Sequence, residues 1–225
     1  CYFYGAFLHN IQQAVKRMFR NKSGASPMSG IRRLPAEWVK LNLGCNENAL
    51  DGWINVDIQP MQGVDMVVNL EEKWPWEDNS VQYIRAFDIF EHLHDSIHTM
   101  NEAWRVLGHG GLLEIWVPST DGRGAFQDPT HVSFWNRNSL FYYSKKYYGK
   151  LYPNKILCDF DFASFDTSAD EHGMIWTWGL CRANKGVNIK PVIPPIWFSA
   201  LSAADGTKRA VPGYEGASMG TIPQE

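Results

Sequence analysis

An α/β protein built on a doubly wound, mostly parallel sheet is the fold class this chain predicts, and three observations predict it. Apolar strand-like runs recur from Trp38 to Val117, separated by turns or by helical periodicity, which is the alternation that builds a parallel sheet. One run ends at Gly44 and the next at Asp57, the glycine turn and strand-end acid with which an open sheet holds a nucleoside. After Pro118 the pattern changes, and two longer strand-like stretches form an antiparallel hairpin that completes a seven-stranded sheet.

In chain order, residues 1–20 place Phe3, Phe7, Leu8, Ile11, Val15, Met18 and Phe19 at helical spacing, with Lys16, Arg17 and Arg20 near the end, where cations favour the helix dipole. Such a helix either packs on the domain or lies on a membrane surface. Residues 21–30 are a linker by composition, so 1–30 form an N-terminal helix and linker, 31–185 the α/β domain, and 186–225 an extended Pro- and Gly-rich tail. The expected strands are Trp38–Leu43, Trp53–Ile58, Val64–Leu70, Tyr83–Phe87 and Leu112–Val117. Between Leu43 and Trp53 there is little room for a crossover helix, which must be small or degenerate. Ile97, Met100, Ala103, Trp104 and Leu107 give a helix over Ser96–Leu107, stopped by Gly108-His-Gly-Gly111. Asn138–Tyr148 reads as a short helix, and Lys155–Phe165 and Met174–Arg182 as the hairpin strands, joined by Asp166–Gly173.

Composition narrows the function. At 225 residues the chain suffices for one well-buried domain with segments to spare. It is 44% hydrophobic and 20% charged with a net charge of -3, without the basic surplus of a nonspecific nucleic-acid binder. Aromatic content of 14% leaves rings for a pocket as well as the core. The four cysteines, at 1, 45, 158 and 181, show no Cys-x-x-Cys spacing. No metal is therefore assigned from them, and scattered thiols fit a reducing cytoplasm. No apolar run is long enough to cross a bilayer. The first residue is Cys1 rather than Met, as in a piece of a longer protein.

The nucleoside site excludes two common ligands. A dinucleotide fingerprint needs glycines where Asn46 and Ala49 follow Gly44, and no Gly-Lys-Ser/Thr phosphate loop occurs. A nucleoside-type ligand without phosphates fits better. Five collinear blocks then point one way: Leu41-Asn-Leu-Gly-Cys-Asn46, Asn55-Val-Asp57, Asn69-Leu-Glu-Glu-Lys-Trp-Pro-Trp-Glu-Asp-Asn-Ser80, Ile89-Phe-Glu-His-Leu93 and Arg105-Val-Leu-Gly-His-Gly-Gly111. Over about residues 38–145 the chain resembles the class I S-adenosylmethionine-dependent methyltransferases (methyltransferase type 11-like), whose sheet is Rossmann-like and ends in an antiparallel hairpin. The resemblance implies S-adenosylmethionine as cofactor. Leu43, Gly44, Cys45 and Asn46 would approach its methionine end, and Asp57 with Ile58 would meet the ribose. Asn69 and Leu70 would border the adenine, and Phe87 and Asp88 would face the sulfonium. Asn46 and Asn69 stand where the family usually has a glycine and an acid. Asn46 can adopt the left-handed conformation, and the Asn69 amide oxygen can still accept a hydrogen bond.

Three further residues are candidates for catalysis: His92, Asp128 and His131. Asp128 and His131 could orient each other as a base for an acceptor hydroxyl, could hold a divalent metal with Glu91 or Asp88, or could form a structural turn. His92 could be a base or a hydrogen-bonded structural residue. The expected reaction is methyl transfer by in-line displacement to a small-molecule or sugar-like acceptor. The alternatives are a non-catalytic binding or scaffold protein on the same fold and a nucleic-acid methyltransferase. Against the latter stand the near-neutral charge and Asp88-Ile-Phe-Glu91 in place of a base-flipping motif. Whether two chains pair as a homodimer is left open.

Overall fold

The computed structural model describes residues 38–170 and 172–186. The expected helix at 1–20, the linker and the tail from 187 onward lie outside the described residues. Seven strands form one sheet in the order β3-β2-β1-β4-β5-β7-β6: β1 (Lys40–Leu43), β2 (Ile54–Asp57), β3 (Met66–Val67), β4 (Val81–Phe87), β5 (Leu107–Pro118), β6 (Phe160–Ala169) and β7 (Ile175–Ala183). The first five pair in parallel, and β7 runs antiparallel to both β5 and β6. The predicted architecture is therefore present. The third strand is cut from seven residues to two, β6 begins at Phe160 rather than Lys155 and runs on to Ala169, and β7 is displaced by one residue to Ile175–Ala183.

One long helix, α1 (Ser96–Val106), stands among the described residues. Its start is set by Asp95, whose side chain accepts the His98 N–H at 2.9 Å, an N-cap bond. Met100, Ala103 and Val106 are fully buried and join Leu41, Leu43, Val56, Ile84, Ala86, Leu113 and Ile115 in one apolar cluster. The helix ends because Leu107 turns extended (φ -66, ψ 134) and pairs with Val81. The glycines that follow lie inside β5, where the register against β4 shifts between Val81 and Tyr83.

No helix lies between β1 and β2 among the described residues. Two asparagines take over its hydrogen-bonding role. Asn42 of β1 and Asn55 of β2 are paired in register, are both buried, and bond to each other (Nδ2 to Oδ1, 3.0 Å). Asn42 Nδ2 also donates to the Asn48 carbonyl (2.9 Å). Asn55 accepts the Leu50 N–H (2.7 Å) and returns a bond to the Leu50 carbonyl (3.2 Å). Buried backbone groups need partners, and here side-chain amides supply them. The same row continues across the sheet. Arg85 donates to Asn42 (2.8 Å) and stands opposite Glu114, which accepts the Tyr83 hydroxyl (3.1 Å).

The segment before β4 is tied down from the end of α1. Arg105 makes two 2.7 Å bonds to Glu102 and donates to the carbonyls of Trp74 and Trp76, while Glu102 accepts the Trp74 N–H at 2.8 Å. No helix of the described residues is long and apolar enough to cross a membrane.

Two stability effects follow. Asn55→Ala leaves the Leu50 N–H without its acceptor and the Asn42 amide with only its bond to the Asn48 carbonyl. It should cost about 1–3 kcal/mol for each buried group left unpaired, read as a lowered urea midpoint. At Glu102, burial pushes the carboxyl up, but the bonds from Arg105 and the Trp74 N–H outweigh it and hold it below its ordinary value. Its stabilisation is therefore complete above the unfolded value and is lost as pH falls through the lower folded value. Glu102→Gln should be less stable than wild type by about 1–3 kcal/mol at neutral pH. In urea melts across an acid series the gap should narrow below the ordinary carboxylate range, and a constant gap would contradict the assignment.

Candidate functional site

The carboxyl ends of β1, β2 and β4 meet where the strand order reverses between β1 and β4, the crevice in which open α/β sheets bind ligands. Gly44 takes φ +60, and a Cβ there would stand 2.8 Å from the Ile89 side chain, so the position needs glycine twice over. Asn46 adopts φ +45, the left-handed conformation that asparagine tolerates better than most residues. The turn thus survives the loss of the second glycine. Its amide N–H donates to Asp57 Oδ2 at 2.9 Å, and the Gln59 N–H donates to Oδ1 at 3.1 Å. A carboxylate has about four acceptor positions, so Asp57 can serve two hydroxyls more while bracing the Gly44 turn.

Leu43 and Cys45 are buried beneath that turn, and burial, then the Asp57 charge, push the Cys45 thiol up to about 11. Neither side chain faces the crevice floor as an open group. Ile58 does the opposite: this apolar side chain is 62% exposed beside Asp57, an open shelf for a flat ring. Asn69 is exposed, with its amide oxygen accepting the Glu71 N–H (3.1 Å), so one lone pair remains for a ligand. Leu70 goes into the core and offers only backbone at this edge. Phe87 leans on Trp116 at 5.9 Å and lies under the Arg85 guanidinium at 3.8 Å. Asp88 takes φ +52, a conformation that a non-glycine residue holds only under constraint; its N–H donates to the Trp116 carbonyl (2.9 Å).

Beyond Asp88 opens a cleft of about 270 Å³ lined by Asp88, Glu91, His92, Asp128, His131 and Trp176, among others. Two loops are stitched together to make it. The Glu91 carbonyl accepts the N–H groups of Val132 and Ser133 (2.9 and 3.0 Å), and the Ser133 hydroxyl donates to the Phe90 carbonyl (2.8 Å). That clip brings the rings of His92 and His131 within 4.9 Å. The expected Asp128–His131 pairing is looser than the sequence suggested. Their nearest atoms are 4.0 Å apart, because Asp128 Oδ1 is taken by the Thr130 hydroxyl (2.6 Å) and N–H (2.8 Å). Those bonds hold the Asp128 carboxyl below its ordinary value, which makes it a weak base. His131 is oriented instead by the Ala125 carbonyl (3.2 Å from Nδ1), and His92 by the Thr130 carbonyl (3.2 Å from Nδ1). Burial lowers the His92 value.

Sequence reading missed three contributors. Ile89 closes over Gly44, Thr130 ties Asp128 to His92, and the hairpin supplies Met174 and Trp176 to the cleft wall. For Trp176 no local signal existed, since it arrives through the pairing of Pro118 with Trp176 across β5 and β7.

Comparison with known proteins agrees with this geometry. Residues 44–115 match the family model of a methyltransferase domain. No curated protein sequence matches the chain significantly. Among solved structures, it is similar to the 1,6-didemethyltoxoflavin N1-methyltransferase of Burkholderia thailandensis, solved with 1,6-didemethyltoxoflavin and S-adenosylhomocysteine bound. Identity is 11%, coverage 82% of this chain and 90% of that chain, and the TM-score 0.51. The YcgJ protein of Bacillus subtilis is 11% identical, with 70% and 96% covered and a TM-score of 0.49. An S-adenosylmethionine-dependent methyltransferase of Methanosarcina mazei is 11% identical, with 68% and 95% covered and a TM-score of 0.46. The matched segment runs from the Gly44 turn to Ile115 in β5 and holds the crevice, the Asp57 carboxylate and Glu91-His92; over these residues the chain is similar to a methyltransferase domain.

Proposed function

We propose that the chain methylates a small-molecule or sugar-like acceptor seated in the cleft between Asp88 and Trp176, with S-adenosylmethionine held in the adjoining crevice. The observation that carries this reading is the Asp57 carboxylate, bonded to the Asn46 N–H across the Gly44 turn with half its acceptor capacity left over. The residues fit the cofactor: φ +60 at Gly44 makes the turn that brings the Asn46 N–H to Asp57, Asp57 has room for two ribose hydroxyls, and Ile58 offers the adenine an apolar surface. S-adenosylmethionine, when bound, supplies an already activated methyl group on a sulfonium.

The protein's task is then alignment. Holding both reactants in line contributes up to roughly 7–11 kcal/mol in favourable cases. Ile89, packed on Gly44, separates the cofactor turn from Glu91 and His92, so donor and acceptor sides of the site share one short segment, Asp88–His92. The cleft mixes carboxyl and imidazole groups with the Trp176 ring, a lining suited to an acceptor that carries hydroxyls as well as apolar faces. A neutral imidazole at His92 or His131 can take the proton an acceptor hydroxyl must lose. The buried cysteines Cys45, Cys158 and Cys181 are unpaired, which supports a reducing cytoplasm as the place of action.

Isothermal titration with S-adenosylmethionine tests the reading. Wild type should bind, and Asp57→Ala should weaken binding by about 1.5–3 kcal/mol, on the order of 10- to 100-fold in Kd. Folded wild-type protein that ignores millimolar cofactor would leave only the non-catalytic scaffold alternative, and an unchanged Kd in the variant would mean the ribose is held elsewhere.

A further inference from the structure

The cleft holds a cluster of groups that methyl transfer does not by itself require. Glu91, His92 and His131 each offer one ligand atom, and these atoms all lie within 4.8 Å of one another. The Glu91 side chain is only 2% exposed, and neither of its oxygens has a hydrogen-bond partner among the described residues. The Asp88 carboxyl stands within bonding reach of it, so without a bound cation the pair must share a proton, and no other protein donor serves Glu91. Both histidines present the same problem from the other side. Each Nδ1 faces a backbone carbonyl, that of Thr130 for His92 and that of Ala125 for His131. A carbonyl only accepts, so Nδ1 carries the hydrogen and Nε2 is left as a lone pair. The Thr130 hydroxyl beside His92 Nδ1 (3.1 Å) spends its own hydrogen on Asp128 (2.6 Å), which agrees with that tautomer.

Two imidazole rings and a buried carboxyl group therefore converge, with no protein donor beyond the proton that Glu91 can share with Asp88. Burying such groups unpaired is costly, and the natural partner is a cation. We propose that Glu91, His92 and His131 form a binding site for one divalent transition-metal ion of the zinc type. Two histidines and one carboxylate are a donor set that suits borderline metals better than magnesium or calcium. The backbone carbonyls behind each Nδ1 are the outer partners that fix the tautomer and ring orientation of metal-binding histidines. Tetrahedral zinc with bonds near 2.0–2.1 Å places its ligand atoms about 3.3 Å apart, so the three side chains close by roughly 1 Å on binding. Three protein ligands leave a position open toward the cleft.

That open position gives the ion a use, and this part rests on the methyltransferase reading. An acceptor hydroxyl bound there loses its proton to water more readily. Its oxygen then forms the bond to the methyl carbon as the carbon–sulfur bond breaks, with the electron pair staying on sulfur.

The test uses the full chain, stripped with a chelator, checked for folding by circular dichroism, and titrated with zinc. One equivalent should bind, and cobalt(II) should give the visible bands of a low-coordinate site. Glu91→Gln should lower zinc affinity by about 100-fold or more, and so should His131→Gln, since even outer-shell changes cost 10- to 100-fold. Should the buried Glu91 variant fail to fold, His92→Gln makes the same measurement from a partly exposed position. Folded wild type that takes up no zinc or cobalt overturns the proposal, as does wild-type affinity in the histidine variants. Titration of the same samples with S-adenosylmethionine separates the two readings: cofactor binding without zinc binding removes the metal site alone, and zinc binding without cofactor binding removes the methyltransferase reading alone.

Discussion

The bond between the side chains of Asn42 and Asn55 is the constraint on which the rest of this sheet depends. Parallel strands cannot be joined by a tight turn, and the connection between them usually includes a helix that satisfies its own backbone. From β1 to β2 the chain has ten intervening residues and no helix. Two turn bonds, Asn48 N–H to the Cys45 carbonyl and Trp53 N–H to the Leu50 carbonyl, serve part of that stretch, and its other peptide groups must look elsewhere for a partner. The paired asparagines provide one donor and acceptor set in the middle of the sheet, and Leu50 and Asn48 hang from it. With that stretch fixed, the Gly44 turn is delivered to the end of β2, and the Asn46 N–H reaches Asp57. The crevice at the Gly44 turn is thus a consequence of how a missing crossover helix was replaced.

This explains which parts of the molecule were legible in the sequence. The strands facing α1 were read well, because Leu41, Leu43, Ile84, Ala86, Leu113 and Ile115 announce their burial by their chemistry. The other face carries Asn42, Asn55, Arg85 and Glu114 in one cross-strand row, and hydrophobic periodicity is silent about it. The third strand was overestimated for a related reason. Val64–Leu70 is apolar enough for a strand, but Val68 N–H already bonds to the Asp57 carbonyl while Leu70 turns into the core, so regular pairing ends at Val67. In the site, Gly44 and Asp57 were visible because their roles are local. The partnership of His92 with His131 was not, since it depends on two loops clipped together by the Glu91 carbonyl and Ser133. Asp128 and His131 looked like a pair at their spacing of three residues, and only the competing bonds to Thr130 and Ala125 separate them.

The two halves of the site differ in how they are made. The cofactor side is mostly backbone shape: a left-handed glycine, a left-handed asparagine and one carboxylate that is already two-fold bonded. Such a site tolerates sequence change as long as the turn can form, which is why Asn46 in place of a glycine does not unmake it. The cleft beyond Asp88 is mostly side-chain electrostatics. Asp88 and Glu91 are crowded together, and burial, followed for Glu91 by the charge of its neighbour, drives both carboxyls upward. A single-residue change there alters charge as well as shape.

Asp88 joins the two halves and bears the strain of doing so. Its φ of +52 is a conformation worth of order 1–3 kcal/mol against folding for a non-glycine residue, and it carries a carboxyl group into a poorly solvated cleft. Glycine at this position would relieve the backbone and remove the charge together. The aspartate carboxyl faces Glu91, with His131 and Arg85 as the cationic groups whose attraction offsets part of its burial. The backbone N–H bond to Trp116 would survive its removal, and the Arg85 guanidinium is already engaged by Asn42. What remains for the Asp88 carboxyl is the space it shares with Glu91, where a proton or a cation must sit for either acid to remain buried. The strain at Asp88 and the unpartnered oxygens of Glu91 therefore meet in one cleft, where burial drives both carboxyls upward.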